Sequence, residues 1–229
     1  MSTMSVTDTL RRQPTPVENR RMRAAAWFLC AWLTAVLAAM AVLTSYSSAP
    51  GPTGEVRQTW PADSQITRKP DKLSLILFAH PKCPCTRATI GELAVVMRHC
   101  REQLDCHVLF MRPSSKPVDW ARTDLWQSAS DIPGVSVAID FDGEEAMRFG
   151  AATSGAVVLF DSDGRLLFHG GITASRGHSG SNLARDSVIA LARHESPDCT
   201  ESPVFGCELF GRSQIAKSRE VMAPCTKLK

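Results

Sequence analysis

The chain has 229 residues, of which 44% are hydrophobic and 21% are charged, with 14 Gly and 14 Pro. This composition excludes a disordered, collagen-like or low-complexity protein, and the length suits one domain with appendages or two small domains. The formal net charge of +3 arises from residues 1–23, which hold five arginines and two acidic residues. The rest of the chain is balanced in charge, so we expect no nucleic acid partner.

An apolar run over residues 24–43 predicts a transmembrane helix, because twenty helical residues span about 30 Å, the thickness of the hydrocarbon core. The positive-inside rule predicts that the preceding segment, residues 1–23, is a cytoplasmic basic arm. It contains Arg11, Arg12, Arg20, Arg21 and Arg23. We therefore expect a single-pass protein of the cytoplasmic (inner) membrane, with its N-terminus inside and its C-terminal domain periplasmic or otherwise extracytoplasmic. A cleaved signal peptide and a buried core helix are the alternatives.

Residues 44–71 are rich in Ser, Pro, Gly and Thr, which predicts a linker between the membrane and a folded domain. The domain is predicted over residues 72–195, and a Cys-containing tail over residues 196–229. Beyond the membrane a disulfide can persist, so the cysteines of these regions are candidates for redox chemistry.

The predicted elements of the domain alternate between strands and helices. In chain order they are a strand at 73–79, a helix at 86–103, a strand at 108–111, a helix at 118–129, a strand at 135–139, a short helix at 143–149, strands at 156–160 and 165–169, and a helix at 182–193. The last two strands are joined by a turn at residues 161–164, which indicates a hairpin. This order predicts an α/β fold with a mixed sheet and helices on both faces.

Two cysteines, Cys83 and Cys85, lie where the first strand meets the first helix. The unpaired N–H groups and the dipole of a helix N-terminus stabilise a thiolate there. Lys82, Arg87 and His80 are expected to add positive charge to the site. We therefore expect Cys83 to have the lower pKa of the two thiols and to react first, nearest the loop surface, while Cys85 turns into the helix.

At these residues the chain resembles the thioredoxin-like superfamily, over about residues 72–195. The resemblance depends on the element order, on Phe78 and Cys83 leading into a helix, and on the closing hairpin and helix. Residues 140–155, with Phe149, resemble the membrane-tethered branch that handles periplasmic thiols. More narrowly, the chain is similar to RedB-type proteins at HPKCPCTRA, at Gly170-Gly-Ile-Thr with Arg176-Gly-His178, and at Pro203-Val-Phe-Gly-Cys207.

The chain departs from the superfamily pattern at two places. The usual C-x-x-C is C-x-C here, and Gly155 takes the place of the usual cis-proline before the hairpin. The resemblance assigns that proline the shaping of a substrate groove and the exclusion of metal. We therefore expect an open groove beside Cys83, which favours a metal site more than the usual motif does.

A disulfide between Cys83 and Cys85 would close a tighter ring than the usual one, and strain makes a disulfide easier to reduce. This favours a catalytic pair. A metal site and a purely structural role for the two cysteines are the alternatives.

Other residues are candidates for the same site. The loop over residues 170–181 carries Arg176 and His178, and the resemblance brings it beside Cys83, where it could bind an anion or supply a proton donor. A mobile surface loop is the alternative for both residues. His80 is a candidate for either an active role or the stabilisation of its turn.

Seven cysteines follow the apolar run, an odd number, so at least one thiol is expected to be unpaired or paired with another chain. For Cys100 and Cys106 we favour a mutual disulfide over a metal site with His99 and His107. The remaining three lie in the tail, where the apolar stretch 203–210 is expected to pack on the domain. They are Cys199, Cys207 and Cys225, of which Cys207 is a further candidate neighbour of the Cys83 site.

Two functions follow from these observations, and whether the chain is an enzyme stays open at this point. The first is a membrane-anchored thiol–disulfide oxidoreductase without a cofactor, acting through Cys83 and Cys85 on a protein thiol or disulfide, in either direction. The second is a Cu(I)-binding module on a thioredoxin fold, with Cys83, Cys85 and His80 as ligands, because soft thiolates select Cu(I). A non-catalytic binding protein is a third hypothesis.

Overall fold

The structure is a computed structural model that describes residues 15–210. The chain divides into two compact units, one ending at Tyr46 and one beginning at Ser47. Helix α1 (Pro16–Ser48) contains the predicted apolar run and is long and apolar enough to cross a membrane. Thr15 and Glu18 form a capping box at its start, with hydrogen bonds of 2.8 and 3.3 Å. Arg11 and Arg12 lie outside the described residues.

The second unit is built on a five-stranded mixed sheet with strand order β3-β2-β1-β4-β5. Strand β1 is central, parallel to β2 and antiparallel to β4. At the two edges of the sheet, β3 is parallel to β2 and β5 is antiparallel to β4. Its seven residues are all buried, as expected for a strand covered on both faces. The strands are β1 (Leu73–Ala79), β2 (Leu104–Arg112), β3 (Val135–Phe141), β4 (Ala156–Phe160) and β5 (Leu166–Gly171).

In the described part of this unit, four α-helices flank the sheet: α2 (Pro84–Cys100), α3 (Asp124–Ser130), α4 (Glu144–Arg148) and α5 (Leu183–Ala192). The alternation along β1 sends Leu75 and Leu77 into one core, which α2, α3 and α5 cover. Ile76 and Phe78 point into a second core on the other face, with residues of α4. The predicted mixed sheet with helices on both faces is confirmed.

The element bounds differ from the predicted ones mainly between β2 and β3. The structure splits the predicted helix at 118–129 into a 3₁₀ turn (Val118–Trp120) and α3. The cause is local, because Thr123 has extended backbone angles and interrupts the helix before Asp124. Strand β2 also begins four residues earlier than predicted, at Leu104, where it pairs with Leu73.

The predicted linker over residues 44–71 is wrong for most of its length, since residues beyond Gly51 pack on the domain. Trp60 contacts the rings of Phe149 and Phe160, with centroids 4.9 and 5.3 Å apart. Lys69 forms a 2.6 Å ion pair with Asp105 at the start of β2. A Ser-, Pro- and Gly-rich composition can form an ordered strap when a large aromatic residue finds an apolar surface to bury.

The tail packs on the domain as expected, over the residues that the structure describes. Its apolar side chains are buried: Val204, Phe205, Leu209 and Phe210. Before them the chain runs along β5, where His169 donates its backbone N–H to the carbonyl of Thr200 at 3.1 Å. Cys225 lies outside the described residues.

The predicted disulfide between Cys100 and Cys106 is not formed, and the seven cysteines of the described residues are all free thiols. Both side chains lie inside the same apolar core, where burial raises the pKa of each thiol and keeps it protonated. Their histidine neighbours have other partners: His107 contacts Asp105 at 3.2 Å, and His99 contacts Arg193 at 3.4 Å. Cys100 and Cys106 therefore act as small apolar core residues.

Candidate active site at the end of the central strand

Cys83 is the N-cap residue of α2, four residues after β1 ends. A tight turn places it there, with its N–H donating to the His80 carbonyl at 3.1 Å. Pro84 then occupies the first helical turn, where its missing N–H costs nothing. Cys83 is only 1% exposed and Cys85 is half-buried, so the expectation that Cys83 lies nearest the surface is wrong.

The floor of the site is a pair of buried hydroxyl groups that sequence reasoning missed. Ser154 and Thr86 are fully buried and share a hydrogen bond of 2.7 Å. Ser154 also accepts the N–H of His80 at 2.7 Å. These two bonds join the loop before β4 to the turn that carries Cys83. Two features of the sequence could have pointed to this pair: Thr86 directly follows the C-x-C motif, and Ser154 directly precedes Gly155.

Gly155 lies immediately before β4, where the resemblance places the cis-proline, and no peptide bond among residues 15–210 is cis. Its φ of +93° lies in the region that favours glycine. Its N–H donates to the Phe78 carbonyl at 2.7 Å. Gly155 thus supports the site from the sheet side, through a conformation that proline cannot adopt.

The expected open groove beside Cys83 is instead occupied by the tail, over the stretch 204–209, which we call the C-terminal segment. This segment lies antiparallel to residues 152–154. The N–H of Ser154 donates to the Cys207 carbonyl at 2.8 Å, and the N–H of Leu209 donates to the Ala152 carbonyl at 2.9 Å. A Cβ at Gly206 would overlap the Ser154 carbonyl, so only glycine permits this close approach.

One thiolate is stabilised in this site. Burial acts to raise the pKa of Cys83, but hydrogen bonding from the thiol and backbone of Cys207 and from the hydroxyl and backbone of Thr86 outweighs it, so the pKa lies below its ordinary value. Burial and the Cys83 charge raise the pKa of Cys85. Partial burial of the sulfur, hydrogen bonding to Cys83 and the Cys83 charge raise the pKa of Cys207 to about 12. The pKa order of Cys83 and Cys85 agrees with the sequence-based expectation.

Arg176 supplies the positive charge at the thiols. Its guanidinium acts to lower the pKa of both Cys85 and Cys207. It donates from Nη1 to the Gly206 carbonyl at 2.6 Å and from Nε to the Ala49 carbonyl at 3.1 Å. Arg176 therefore links the loop after β5, the C-terminal segment and the cysteines.

The other cationic candidates are turned to different partners. Lys82 lies with Nζ 5.2 Å from the Trp120 ring centroid, and Arg87 pairs with Asp124. His178 is exposed on the loop after β5. The expected contribution of Lys82 and Arg87 to the Cys83 thiolate is therefore replaced by hydrogen bonding from Thr86 and Cys207.

His80 stabilises its own turn. Its Nδ1 accepts the N–H of Lys82 at 3.2 Å. Its ring packs against that of Trp120 in a T-shaped arrangement, with the ring centroids 5.5 Å apart. Burial, followed by the charge of Lys82, lowers the pKa of His80, so the ring is neutral near pH 7 and adds no charge to the site. Within residues 15–210, no group of three or more His, Cys, Asp or Glu side chains is arranged to hold a metal ion.

The chain was also compared with known proteins. No protein-family model and no curated protein matches it in sequence. Among solved structures, an uncharacterized conserved protein from Geobacillus kaustophilus matches 72% of this chain and 93% of its own, with 17% identity and a TM-score of 0.52. A hypothetical protein from Sinorhizobium meliloti matches 70% of this chain and 93% of its own, with 19% identity and a TM-score of 0.47. A secreted disulfide oxidoreductase of Mycobacterium tuberculosis, homologous to DsbE of E. coli, matches 54% of this chain and 82% of its own. The identity is 16% and the TM-score is 0.39.

The sheet order, the strand directions and the cysteine pair at the end of the central strand decide the fold class. The fold is thioredoxin-like. In this chain it carries an N-terminal helix that is long and apolar enough to cross a membrane and a C-terminal segment laid over the cysteines. The fold class predicted from the sequence is confirmed.

The close approach of Gly206 to Ser154 leads to a prediction about the accessibility of Cys83. Gly206→Ala should push the C-terminal segment away, and Cys83 should then react with iodoacetamide about tenfold faster, since a thiolate reacts only when the reagent reaches it. The rate is measured by mass spectrometry of the Cys83 peptide. Gly91→Ala is the matched control, because a Cβ there meets only Ser179, at 3.9 Å. Equal rates in the two variants would show that the segment does not limit access.

Proposed function

We propose that this chain is a membrane-anchored thiol–disulfide oxidoreductase that acts outside the cytoplasm on protein thiols or disulfides. Cys83 is its nucleophile and Cys85 its second motif thiol. The observation that supports this most is one buried thiolate at a helix N-terminus, stabilised by hydrogen bonding and flanked by protonated thiols. A structural cysteine needs none of this, and the buried thiols of Cys100 and Cys106 in the same domain have raised pKa values.

The exchange reaction uses the two states of these thiols. The Cys83 thiolate attacks one sulfur of a substrate disulfide, that S–S bond breaks, and the leaving thiolate takes up a proton. Cys83 is now joined to the substrate. A second thiol of the site, Cys85 in the simplest scheme, loses its proton and attacks the Cys83 sulfur. The second substrate thiol leaves, two electrons have passed to the substrate, and the protein holds a disulfide. The reverse sequence oxidises a substrate dithiol.

The location is part of the proposal. Helix α1 is the anchor, and the arginines among residues 1–23, several of them in the first turns of α1, keep the N-terminus in the cytoplasm. The domain then lies on the side where disulfides persist. The proposed kinship with RedB-type proteins depends on the motifs around Cys83, Arg176 and Cys207, and the structure brings these three residues to one site.

Cu(I) binding by the thiols is the rival function, and a non-catalytic binding module is the third. They are separated with the full chain in detergent, reduced and freed of metal. We expect it to accelerate the reduction of insulin disulfides by dithiothreitol, and native mass spectrometry after addition of Cu(I) to show no stoichiometric complex. Stoichiometric copper without insulin reduction would favour the metal module. Neither copper nor reduction would favour the binding module.

The pH dependence of alkylation tests the proposed nucleophile. Iodoacetamide reacts with the thiolate, so the rate at each cysteine rises with pH until its pKa is passed. Because the pKa of Cys83 is lowered and that of Cys85 raised, the Cys83 rate should level off at a lower pH than the Cys85 rate. The rates are followed by mass spectrometry of the full chain. A Cys85 rate that levels off first would reverse the assignment of nucleophile and partner.

A further inference from the structure

The C-terminal segment carries a third thiol to the site. Cys207 interacts with Cys83 through both its thiol and its backbone, and its charge state also depends on Cys85. The bond from Ser154 to the Cys207 carbonyl and the bridge between Thr153 and Glu208 fix the residue at the edge of β4. Three thiols thus share one site, although only two belong to the C-x-C motif.

The position of Cys207 is held from both sides. Phe205 and Leu209, two residues before and after it, are 8% and 2% exposed. The Arg176 guanidinium holds the Gly206 carbonyl at 2.6 Å. Cys207 itself is solvent-exposed. The buried side chains of Phe205 and Leu209 hold the segment in place, and the Cys207 thiol between them does not contribute to the core. A side chain kept for packing would lie inward, as Phe205 and Leu209 do.

We propose that Cys207 is the resolving thiol of this enzyme and forms a disulfide with Cys83. This inference rests on the proposed function and assigns the second half of the exchange to a residue outside the motif. Cys83 first attacks the substrate disulfide and releases one substrate thiol. Cys207 then loses its proton and attacks the Cys83 sulfur, the second substrate thiol takes up that proton and leaves, and the Cys83–Cys207 disulfide holds the two sulfurs that have been oxidised.

Ring size favours Cys207 over Cys85 in this step. A disulfide within C-x-C closes a very small ring, and departures from unstrained disulfide geometry are costly. Cys85 also lies within the first turn of α2, one residue after Pro84, so its backbone is fixed by the helix. Cys207 approaches from a separate segment, so its disulfide with Cys83 closes no small ring.

The charges of the site support the same order of events. The negative charge of Cys83 is among the causes that hold the pKa of Cys207 at about 12. When Cys83 is joined to a substrate this charge is gone, while Arg176 still favours a Cys207 thiolate. Burial still raises the pKa of Cys207 in that state, but the loss of the Cys83 charge makes its thiolate easier to form after the first step than before it.

Access to Cys83 fits this sequence. Because Cys83 is 1% exposed, a substrate reaches it only when the C-terminal segment has left residues 152–154. The return of the segment brings Cys207 back to Cys83 and displaces the substrate. A single movement therefore admits the substrate and completes the reaction.

The test identifies the disulfide in the full chain, kept in detergent. The reduced wild type and the variants Cys85→Ser, Cys207→Ser and Cys199→Ser are treated with oxidised glutathione, quenched in acid and alkylated. Trypsin releases Cys83 within CPCTR, and cleavage after Glu201 and Glu208 separates Cys207 from Cys199. Because CPCTR also contains Cys85, the partner of Cys83 is assigned by fragmentation of the linked peptides and by comparison with Cys85→Ser, in which Cys83 is the only thiol of that peptide. Cys199 is the control because its thiol contacts Ser187 at 3.5 Å on α5.

We expect a Cys83–Cys207 link in the wild type, in Cys85→Ser and in Cys199→Ser, and glutathione retained on Cys83 about tenfold longer in Cys207→Ser. A Cys83–Cys85 link in the wild type with Cys207 alkylated would overturn the inference and leave the proposed function intact. Glutathione that stays on Cys83 in Cys85→Ser would also overturn it. If Cys83 is oxidised in no variant, the proposed function itself is wrong. Circular dichroism like that of the wild type shows that each variant is folded.

Discussion

Replacing Cys83 by serine is expected to reduce the insulin reductase activity of the full chain by at least about a thousandfold, since a neutral hydroxyl is a far weaker nucleophile than a thiolate. The substitution is nearly isosteric, and the hydroxyl can keep the hydrogen bonds to Thr86 and Cys207. The loss should therefore be chemical. The measurement is the rate of dithiothreitol-dependent insulin reduction in detergent, with circular dichroism to compare the folds.

Cys106→Ser and Cys199→Ser are the matched controls for this experiment. Cys199 lies on the tail against Ser187, away from the three thiols of the site (Cys83, Cys85 and Cys207). Its variant should therefore keep its rate of insulin reduction within about twofold. Cys106 is fully buried in the core, so its variant separates loss of stability from loss of chemistry. A Cys83→Ser variant that keeps a tenth of the activity would assign the nucleophilic role to another thiol of the cluster.

The second large effect is expected at Gly155, and it is an effect on stability. Gly155→Pro removes the N–H that donates to the Phe78 carbonyl, and the ring requires a φ near −65° where the native value is +93°. We expect the free energy of unfolding to fall by about 3 kcal/mol or more. It is measured from denaturant unfolding of the full chain in detergent. A proline, the usual residue of the superfamily at this position, is therefore incompatible with the backbone that supports Cys83 here.

Gly177→Ala is the control for Gly155→Pro. Gly177 also has a positive φ, of +66°, but a Cβ there meets nothing within 4 Å. Its alanine variant should lose only about 1 kcal/mol, the cost of the left-handed conformation. If Gly155→Pro unfolds at the same denaturant concentration as the wild type, the backbone between Ser154 and Ala156 can change its conformation without cost, and the assigned support for Cys83 is wrong.

Much of the fold could be predicted because its signals are local. Strand β1 is an apolar run, broken only by Ser74, that turns and prolines delimit. Strands β4 and β5 flank a short turn that indicates a hairpin by itself. The same holds for the helix after Cys83, whose apolar residues recur at helical spacing. These predictions required no knowledge of distant contacts.

The larger errors concern segments whose conformation depends on distant partners, whereas the break at Thr123 in the helix predicted over residues 118–129 has a local cause. The strap before β1 has the composition of a linker, and Trp60 orders it only because Phe149 and Phe160 form a surface that it can cover. The predicted Cys100–Cys106 disulfide followed from short spacing in the chain, whereas both side chains pack into the core as free thiols. Spacing in sequence is a poor guide to which way a side chain points at the end of a helix.

The sequence by itself determined the fold class, the apolar helix α1 and the place of Cys83 and Cys85 at a helix N-terminus, because periodicity, apolar length and capping act between neighbouring residues. The resemblance also led us to expect Arg176 near the site, but only the tertiary structure decided which of the candidate groups contact the thiols. Lys82 and Arg87, adjacent in sequence, turn to Trp120 and Asp124, while Arg176 and Cys207 arrive from other parts of the chain. The stabilisation of a thiolate depends on distances of a few ångströms, and such distances between remote segments are set by the packing of the sheet and of the tail upon it.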